Sequence, residues 1–241
     1  MNLFVPARMY DRNTPEMIDN PSADPELLRD ELKSIRIINR LFGGYSAVRR
    51  GILSLLDNKR DGAEIRILDL GTGSADLPVY LMRIGQQMHK RFTITAVDNH
   101  PAILRVARER TQSVANLIII EQANLLELKY PPGAFDIVLC SLTLHHFSSE
   151  EVIAILQSMK RLSRIGFVVN DLRRSRIAAW ITWLYIHLTT TNVMTVTDSY
   201  LSVLRGFTGD EMKRMAEQAD IQKFEIRRKA FFRLLLVGEH N

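Results

Sequence analysis

Five short apolar runs, at residues 65–70, 92–97, 117–120, 135–141 and 167–169, alternate with stretches of helical periodicity, and this alternation constrains the fold more than any other feature of the chain. Apolar residues stand on consecutive positions within each run rather than strictly on every second one. A strand of that kind is buried on both faces, the condition of a parallel sheet sandwiched between helices. The helical stretches cover 77–88, 101–110 and 148–162. Pro101 suits a first helical turn, and Ser148 followed by Glu151 spells a capping box, in which each side chain satisfies a free backbone N–H at the other position.

The two ends of the chain read differently. From Asp24 onward apolar residues stand at Leu28, Leu32, Ile35, Ile38 and Phe42, spacings of 4, 3, 3 and 4 that trace one helical face. Asp24 and Pro25 open that helix, Gly43 and Gly44 close it, and a second helix is predicted over 47–56 ahead of a polar stretch at 57–64. Thr208 and Glu211 form another capping box for a helix reaching Ala219. The runs 224–228 and 233–237 lie too close together for a parallel crossover and predict an antiparallel hairpin. The reading is thus a seven-stranded, mostly parallel α/β sheet with a terminal antiparallel hairpin and helices on both faces. Residues 1–60 make a helical N-terminal cover, and residues 61–241 the main domain with a helical lid inserted at about 174–206.

Composition narrows the setting. The single cysteine, Cys140, can neither close an intrachain disulfide nor build a cysteine metal site, so a reduced, cytoplasmic protein without a bound metal is expected. Residues 1–19 lack the pattern of a secretory signal, and the greasiest stretch, 177–188, falls short of the ~20 residues that span a bilayer. The formal charge is +5, concentrated at 160–176, where six basic residues face only Asp171. A solvated helix end and a basic loop account for it; anionic lipid or an anionic substrate is the alternative, and nucleic acid is not expected, because no RNA-binding module and few aromatic residues accompany the charge.

The segment Asp69-Leu70-Gly71-Thr72-Gly73-Ser74-Ala75-Asp76 follows the first strand directly and opens a helix. Glycines there let a ligand approach the backbone at the carboxyl edge of the sheet, where open α/β folds bind their ligands. A dinucleotide loop would place a third glycine at position 76. Asp76 would instead compete with a pyrophosphate for the helix N–H groups, which disfavours NAD and FAD and favours a cofactor with a positive centre and no phosphate. Asp98, ending the second strand, can accept from both hydroxyls of a ribose. Asn124, ending the third, can both donate to and accept from an adenine edge.

With these residues in place, the stretch 67–172 resembles the class I S-adenosylmethionine-dependent methyltransferases. Leu68-Asp69-Leu70-Gly71-Thr72-Gly73 is similar to their glycine motif, Ala96-Val97-Asp98 to the ribose motif, Gln122-Ala123-Asn124 to the adenine motif and Ala134-Phe135-Asp136-Ile137-Val138 to the fourth strand. Residues 73–77 and 122–124 are similar to the ubiquinone and menaquinone biosynthesis enzymes. The resemblance implies a Rossmann-like fold and S-adenosyl-L-methionine held by Asp69, Gly71, Thr72, Gly73, Asp76, Asp98, Asn99, Asn124, Leu125 and Ser141. Two departures stand out. Ala75 replaces the third motif glycine, which suits a backbone of negative φ, and the fifth strand ends in Asn170-Asp171 where quinone enzymes carry an acid and a phenylalanine. The segments around Asn39-Arg40, 171–174 and 202–208 look like a bacterial branch associated with lipophilic polyketide or phenolic substrates, and so with secondary metabolism.

On this resemblance the acceptor lies beyond the fourth strand, at Ser141-Leu142-Thr143-Leu144-His145-His146-Phe147. A histidine can take a proton from a phenol or enol, and His146, with His145 behind it, is the candidate base; the competing reading is that the pair fills the loop and caps the next helix. Asp171, Arg173 and Arg174 are candidates to hold an anionic acceptor group, Tyr45 to reach over the cofactor, and Trp180 and Trp183 to line the lid. The lid helix is apolar on nearly every face, so it is either buried or made for a greasy partner, including a membrane surface. The sequence therefore points to O-methylation of a small lipophilic phenol, enol or polyketide. C-methylation of a quinol-like ring and non-catalytic binding of an adenosine cofactor are the alternatives.

Overall fold

The computed structural model describes residues 5–56, 64–229 and 232–240. One seven-stranded sheet runs β3-β2-β1-β4-β5-β7-β6. Strands β1 (Glu64–Leu70), β2 (Arg91–Asp98), β3 (Ile118–Gln122), β4 (Phe135–Ser141) and β5 (Ser163–Leu172) are parallel. Strand β7 (Arg233–Glu239) is antiparallel to both β5 and β6 (Phe224–Lys229). The order reverses between β1 and β4, so the crevice above their carboxyl ends is where a ligand fits.

Alternation along each strand builds two cores. Ile137 and Leu139 of β4 point to one face, where they meet α2 (Gly44–Leu56) and α3 (Asp76–Gln87). Val138 and Cys140 point to the other, against α5 (Ser149–Leu162) and α8 (Gly209–Gln218). Every residue of β4 from Phe135 to Cys140 is buried, including Asp136, which accepts from the Arg66 N–H and pairs with Arg164. The helix α4 (Pro101–Thr111) flanks β2 and β3. Both capping boxes form, at Ser148 with Glu151 and at Thr208 with Glu211.

Several expectations move. Helix α1 (Pro25–Leu41) is capped by Asp24 as predicted and closed by Gly43 at φ 74°, but α2 starts at Gly44, three residues before the predicted Ala47. Helix α2 packs into the sheet core through Ala47, Val48, Ile52 and Leu55, so only the segment before it covers the crevice. The polar stretch at 57–63 lies outside the described residues. Strand β5 is ten residues long rather than three, because Ser163, Asn170 and Asp171 are polar yet fully inside the sheet. The lid consists of two helices, α6 (Arg176–Thr189) and α7 (Val193–Arg205), packed together through Ala178, Ala179, Val203 and Leu204. Among the described residues no helix is long and apolar enough to cross a membrane.

Ala75 overturns the expectation of negative φ: it sits at φ 55°, ψ 29°, in the left-handed region just before α3. That conformation costs an L-residue about 1–2 kcal/mol, part of which a glycine would give back as extra freedom of the unfolded chain. Ala75→Gly is expected to raise the unfolding free energy by about 0.5–1 kcal/mol in urea titrations. A loss of stability would mean that packing of the buried methyl outweighs the backbone strain.

Candidate active site

A cavity of about 550 Å³ lies over the carboxyl ends of β1, β2, β4 and β5, roofed by a 3-10 turn (Met17–Asp19), α1, α6 and α7. Its β1–β2 half is built by backbone geometry. Gly71 and Gly73 take φ 67° and 55°, and a Cβ on Gly71 would collide with the Thr143 side chain, so glycine is required there. The Gly73 N–H donates to Asp98 Oδ2 at 3.0 Å and the His100 N–H to Asp98 Oδ1 at 3.1 Å, which aims the carboxylate at the cavity edge. Thr72 Oγ1 donates to Asp69 Oδ2 at 2.7 Å. Burial, opposed by Thr72 and reinforced by Asp76 and Asp98, pushes the Asp69 carboxyl up to about 7. Asp69, Gly71, Thr72, Gly73, Asp76, Asp98, Asn99, Leu125 and Ser141 all line the cavity.

Among the described residues this half holds Asp69, Asp76 and Asp98 and no lysine or arginine. Such a field attracts a positive centre and repels a pyrophosphate. Asp76 accepts from Ser74 Oγ at 3.1 Å and from the Tyr45 hydroxyl at 2.7 Å, so both oxygens are held in place.

The other half gathers a buried charge network from distant parts of the chain. His145 Nδ1 lies 2.7 Å from Asp171 Oδ1, and His146 Nδ1 lies 2.9 Å from Asp19 Oδ2. Both Nε2 atoms turn toward Glu16, each 3.9 Å from one of its oxygens. Glu16 in turn accepts from Ser202 Oγ at 2.7 Å and faces Arg205 Nη1 at 3.4 Å. Asp198 accepts from the N–H groups of Met17 and Ile18, both at 2.9 Å, and so clamps the 3-10 turn onto α7. Glu16, His145 and His146 bring three ligand-type atoms within 4.8 Å of one another, the spacing of a cation site, but the Arg205 guanidinium already supplies positive charge there. Burial would raise Asp171, yet His145 and the Leu172 N–H hold it below the usual carboxylate range. Burial pulls His146 down, whereas Glu16 and Asp19 push it up to about 9.

The remaining candidates fall elsewhere. Asn124 is exposed, and its Oδ1 accepts from the Leu126 N–H at 3.1 Å to close its own turn; the adjacent Leu125 is the residue that reaches the cavity. Tyr45 stacks on Tyr80 at 4.8 Å and stays outside the lining, acting on it through Asp76. Arg174 is buried and donates to Pro6 O, Gly206 O and Glu211 Oε1, which makes it a strut between the N-terminal segment and α8. Arg173 lies over the Phe232 ring at 5.4 Å, outside the lining. Trp180 and Trp183 face solvent, and α6 instead turns Ile181, Thr182 and Tyr185 inward. Asp171 acts through His145 rather than at the cavity wall.

Glu16, Asp19 and Arg233 are among the lining residues that escaped the sequence reading. Glu16 and Asp19 lie in a short polar stretch with no periodic or motif signal. Arg233 begins a strand whose next four residues, Leu234 to Val237, are core, and it is 2 % exposed. Its Nη2 donates to Asn39 Oδ1 at 3.2 Å, while Nε and Nη1 have no partner among the described residues. Burial, resisted by the charge of Asp171, lowers Arg233 to about 10. Asn39 carried a signal only as part of the family resemblance.

Comparison with known proteins agrees with this architecture. Residues 67–166 match the family model described as a methyltransferase domain. The ribosomal protein L11 methyltransferase of Pelobacter propionicus is 32 % identical over 132 residues, 53 % of this chain and 39 % of that protein. The demethylmenaquinone methyltransferase of Thermus thermophilus is 31 % identical over 117 residues, 48 % of this chain and 50 % of that protein. The chain thus spans half or less of the length of these curated relatives. A solved S-adenosylmethionine-dependent methyltransferase from Aquifex aeolicus superposes with a TM-score of 0.61 at 14 % identity, covering 89 % of this chain and 97 % of that one.

His146 gives the site a measurable pH signature. A histidine raised in the folded state contributes stability that is complete below its unfolded value of about 6.5 and is lost as pH rises through about 9. Relative to His146→Gln, the protein is expected to lose on the order of 3 kcal/mol between about pH 6 and pH 10. Parallel pH profiles for the two proteins in urea melts would remove the ion pairs with Asp19 and Glu16 from the account.

Proposed function

We propose that this chain, a class I S-adenosylmethionine-dependent methyltransferase by its fold and motifs, transfers a methyl group to an ionisable oxygen of a small lipophilic acceptor. The observation that carries this reading is one cavity with two unlike halves: an acidic, glycine-built half at the β1–β2 edge, and a half walled by Ile35, Ile38, Phe42, Ile181 and Tyr185 that ends on the histidine pair. S-adenosylmethionine, when bound, supplies the methyl group on a positively charged sulfonium. The residues present fit that group, because carboxylates and, among the described residues, no lysine or arginine line the half that would receive it, and the glycine loop leaves the backbone open. Asp98 would hold the ribose hydroxyls, and Asp69, Asp76 and the 71–73 backbone the rest, with Asn99, Leu125 and Ser141 alongside.

Displacement at a sulfonium needs alignment and a deprotonated acceptor. His145 is the better placed base: Asp171 accepts from its Nδ1–H, which leaves Nε2 to take the acceptor proton, and Glu16 stands ready beside the resulting imidazolium. His146, held charged by Asp19 and Glu16, donates to the acceptor oxyanion. Arg233, rather than Arg173 or Arg174, is the arginine available to an anionic substituent. A base that deprotonates the acceptor hydroxyl supports transfer to that oxygen, and transfer to a ring carbon activated by the same phenolate is the alternative. Peripheral contact with a membrane belongs to the same reading, as the source of a lipophilic acceptor.

Calorimetric titration with S-adenosylmethionine, S-adenosylhomocysteine and NADH tests the cofactor half. Micromolar binding of the two sulfur cofactors alone is expected, and Asp98→Ala is expected to weaken both at least about tenfold, the scale of a lost charge-assisted hydrogen-bond pair. Binding of NADH instead would overturn the assignment. His145→Ala is expected to keep cofactor affinity and to lower turnover on phenolic acceptors by about 10²–10⁴. Unchanged turnover would leave the histidine a structural role, and a product methylated on carbon would shift the reading to a ring C-methyltransferase.

A further inference from the structure

The lid helix α6 carries a second feature that methyl transfer does not use. Ile177, Trp180, Ile181, Leu184 and Leu188 recur at spacings of 3, 1, 3 and 4, so they form one helical stripe, and all five are exposed, Trp180 by 61 % and Leu188 by 77 %. Trp183 flanks the stripe and is exposed as well. Helix α1 adds Ile37 and Leu41, also exposed, next to the point where Phe42 meets Tyr185 edge to face at 5.3 Å. An apolar surface of this extent on a soluble chain marks a binding face.

Its charge indicates what it binds. Arg176 opens α6 beside Ile177, and Arg40 precedes Leu41 on α1. Neither 172–197 nor 32–42 contains an aspartate or glutamate. A second copy of the chain docked through the same face by a two-fold axis would set this basic rim against itself. An anionic lipid surface complements it, and tryptophans beside apolar residues and arginines are the composition of helices that lie in the headgroup region.

The stripe is also continuous with the cavity. Ile181 is both exposed and part of the cavity wall, and Tyr185, Ile38 and Phe42 line the same gap between α1 and α6. We propose that α6 and the end of α1 dock on an anionic bilayer, and that a lipophilic acceptor passes from the lipid into the cavity through the gap between them. This rests on the lipophilic-acceptor reading above, but its test does not require turnover.

Both tryptophans of the chain lie on α6, so intrinsic fluorescence reports on this face alone. The experiment adds vesicles of phosphatidylcholine with or without phosphatidylglycerol to the full chain and follows emission together with co-sedimentation. A blue shift and pelleting are expected with the anionic vesicles, both weakened at about 1 M salt, where charges are screened beyond about 3 Å. Trp183 remains a reporter in the double variant Trp180→Ser, Leu188→Ser. That variant is expected to lower vesicle affinity at least about tenfold, the scale of losing two buried apolar side chains. It should leave S-adenosylhomocysteine affinity unchanged, which certifies the fold. A blue shift that grows with protein concentration in the absence of lipid would assign the face to self-association and overturn the proposal, as would an absence of shift with every vesicle. Neither result would touch the cofactor titrations, so failure here and failure of the methyltransferase reading are separable.

Discussion

Everything around the candidate site hangs on one buried electrostatic chain: Asp171 to His145, both histidines to Glu16, and Glu16 to Ser202 and Arg205 of α7. It joins the N-terminal turn, the loop after β4, the end of β5 and the lid. Carboxylates and imidazoles out of water are tolerated only when each meets a partner, because an uncompensated buried charge costs several kcal/mol. The network therefore fixes where the turn and lid can sit. Once they sit there, Ile35, Ile38, Tyr185 and Ile181 enclose an apolar volume above the histidines. The apolar space and its polar floor are thus two consequences of one arrangement.

The cofactor half has a different physical origin. It depends on backbone conformations that few residues adopt, at Gly71, Gly73 and Ala75, and on a carboxylate at the end of each of two neighbouring strands. Strain at Ala75 sits beside the loop that would cradle the ligand. Local strain of this sort persists where the surroundings over-determine it. Here they are the buried start of α3, with Asp76 tied to Ser74 and Tyr45, and the strand β1 behind it.

The lid reconciles the two halves with solvent. Its inner face, through Ala178, Ala179 and Ile186, is buried; its outer face is as apolar as the inner one. A helix greasy all round is stable in water only if something covers the second face for part of its working life. That requirement links the exposed tryptophans to the lipophilic character of the cavity beneath them.

How much was legible in the sequence follows from the range of each signal. Strand and helix order, both capping boxes, the terminal hairpin and the glycine loop with Asp69, Asp76 and Asp98 are local patterns, and the sheet reproduces them because strands covered on both faces must be mostly apolar and helix ends must satisfy free N–H groups. The histidine pair was visible for the same reason. Glu16, Asp19 and Arg233 were not, since they reach the cavity only when β5, β7, α7 and the N-terminal turn converge, and no spacing along the chain encodes that meeting. Tertiary packing likewise decided that Arg174 braces backbone carbonyls, that Arg173 rests on Phe232, and that Trp180 and Trp183 turn outward, because periodicity in an all-apolar helix cannot say which face lies inside. The chain by itself determined the sheet and its ligand loop through short-range sterics and hydrogen bonding; only the folded whole decided which charges share a buried space, because desolvation couples residues by distance in three dimensions rather than along the sequence.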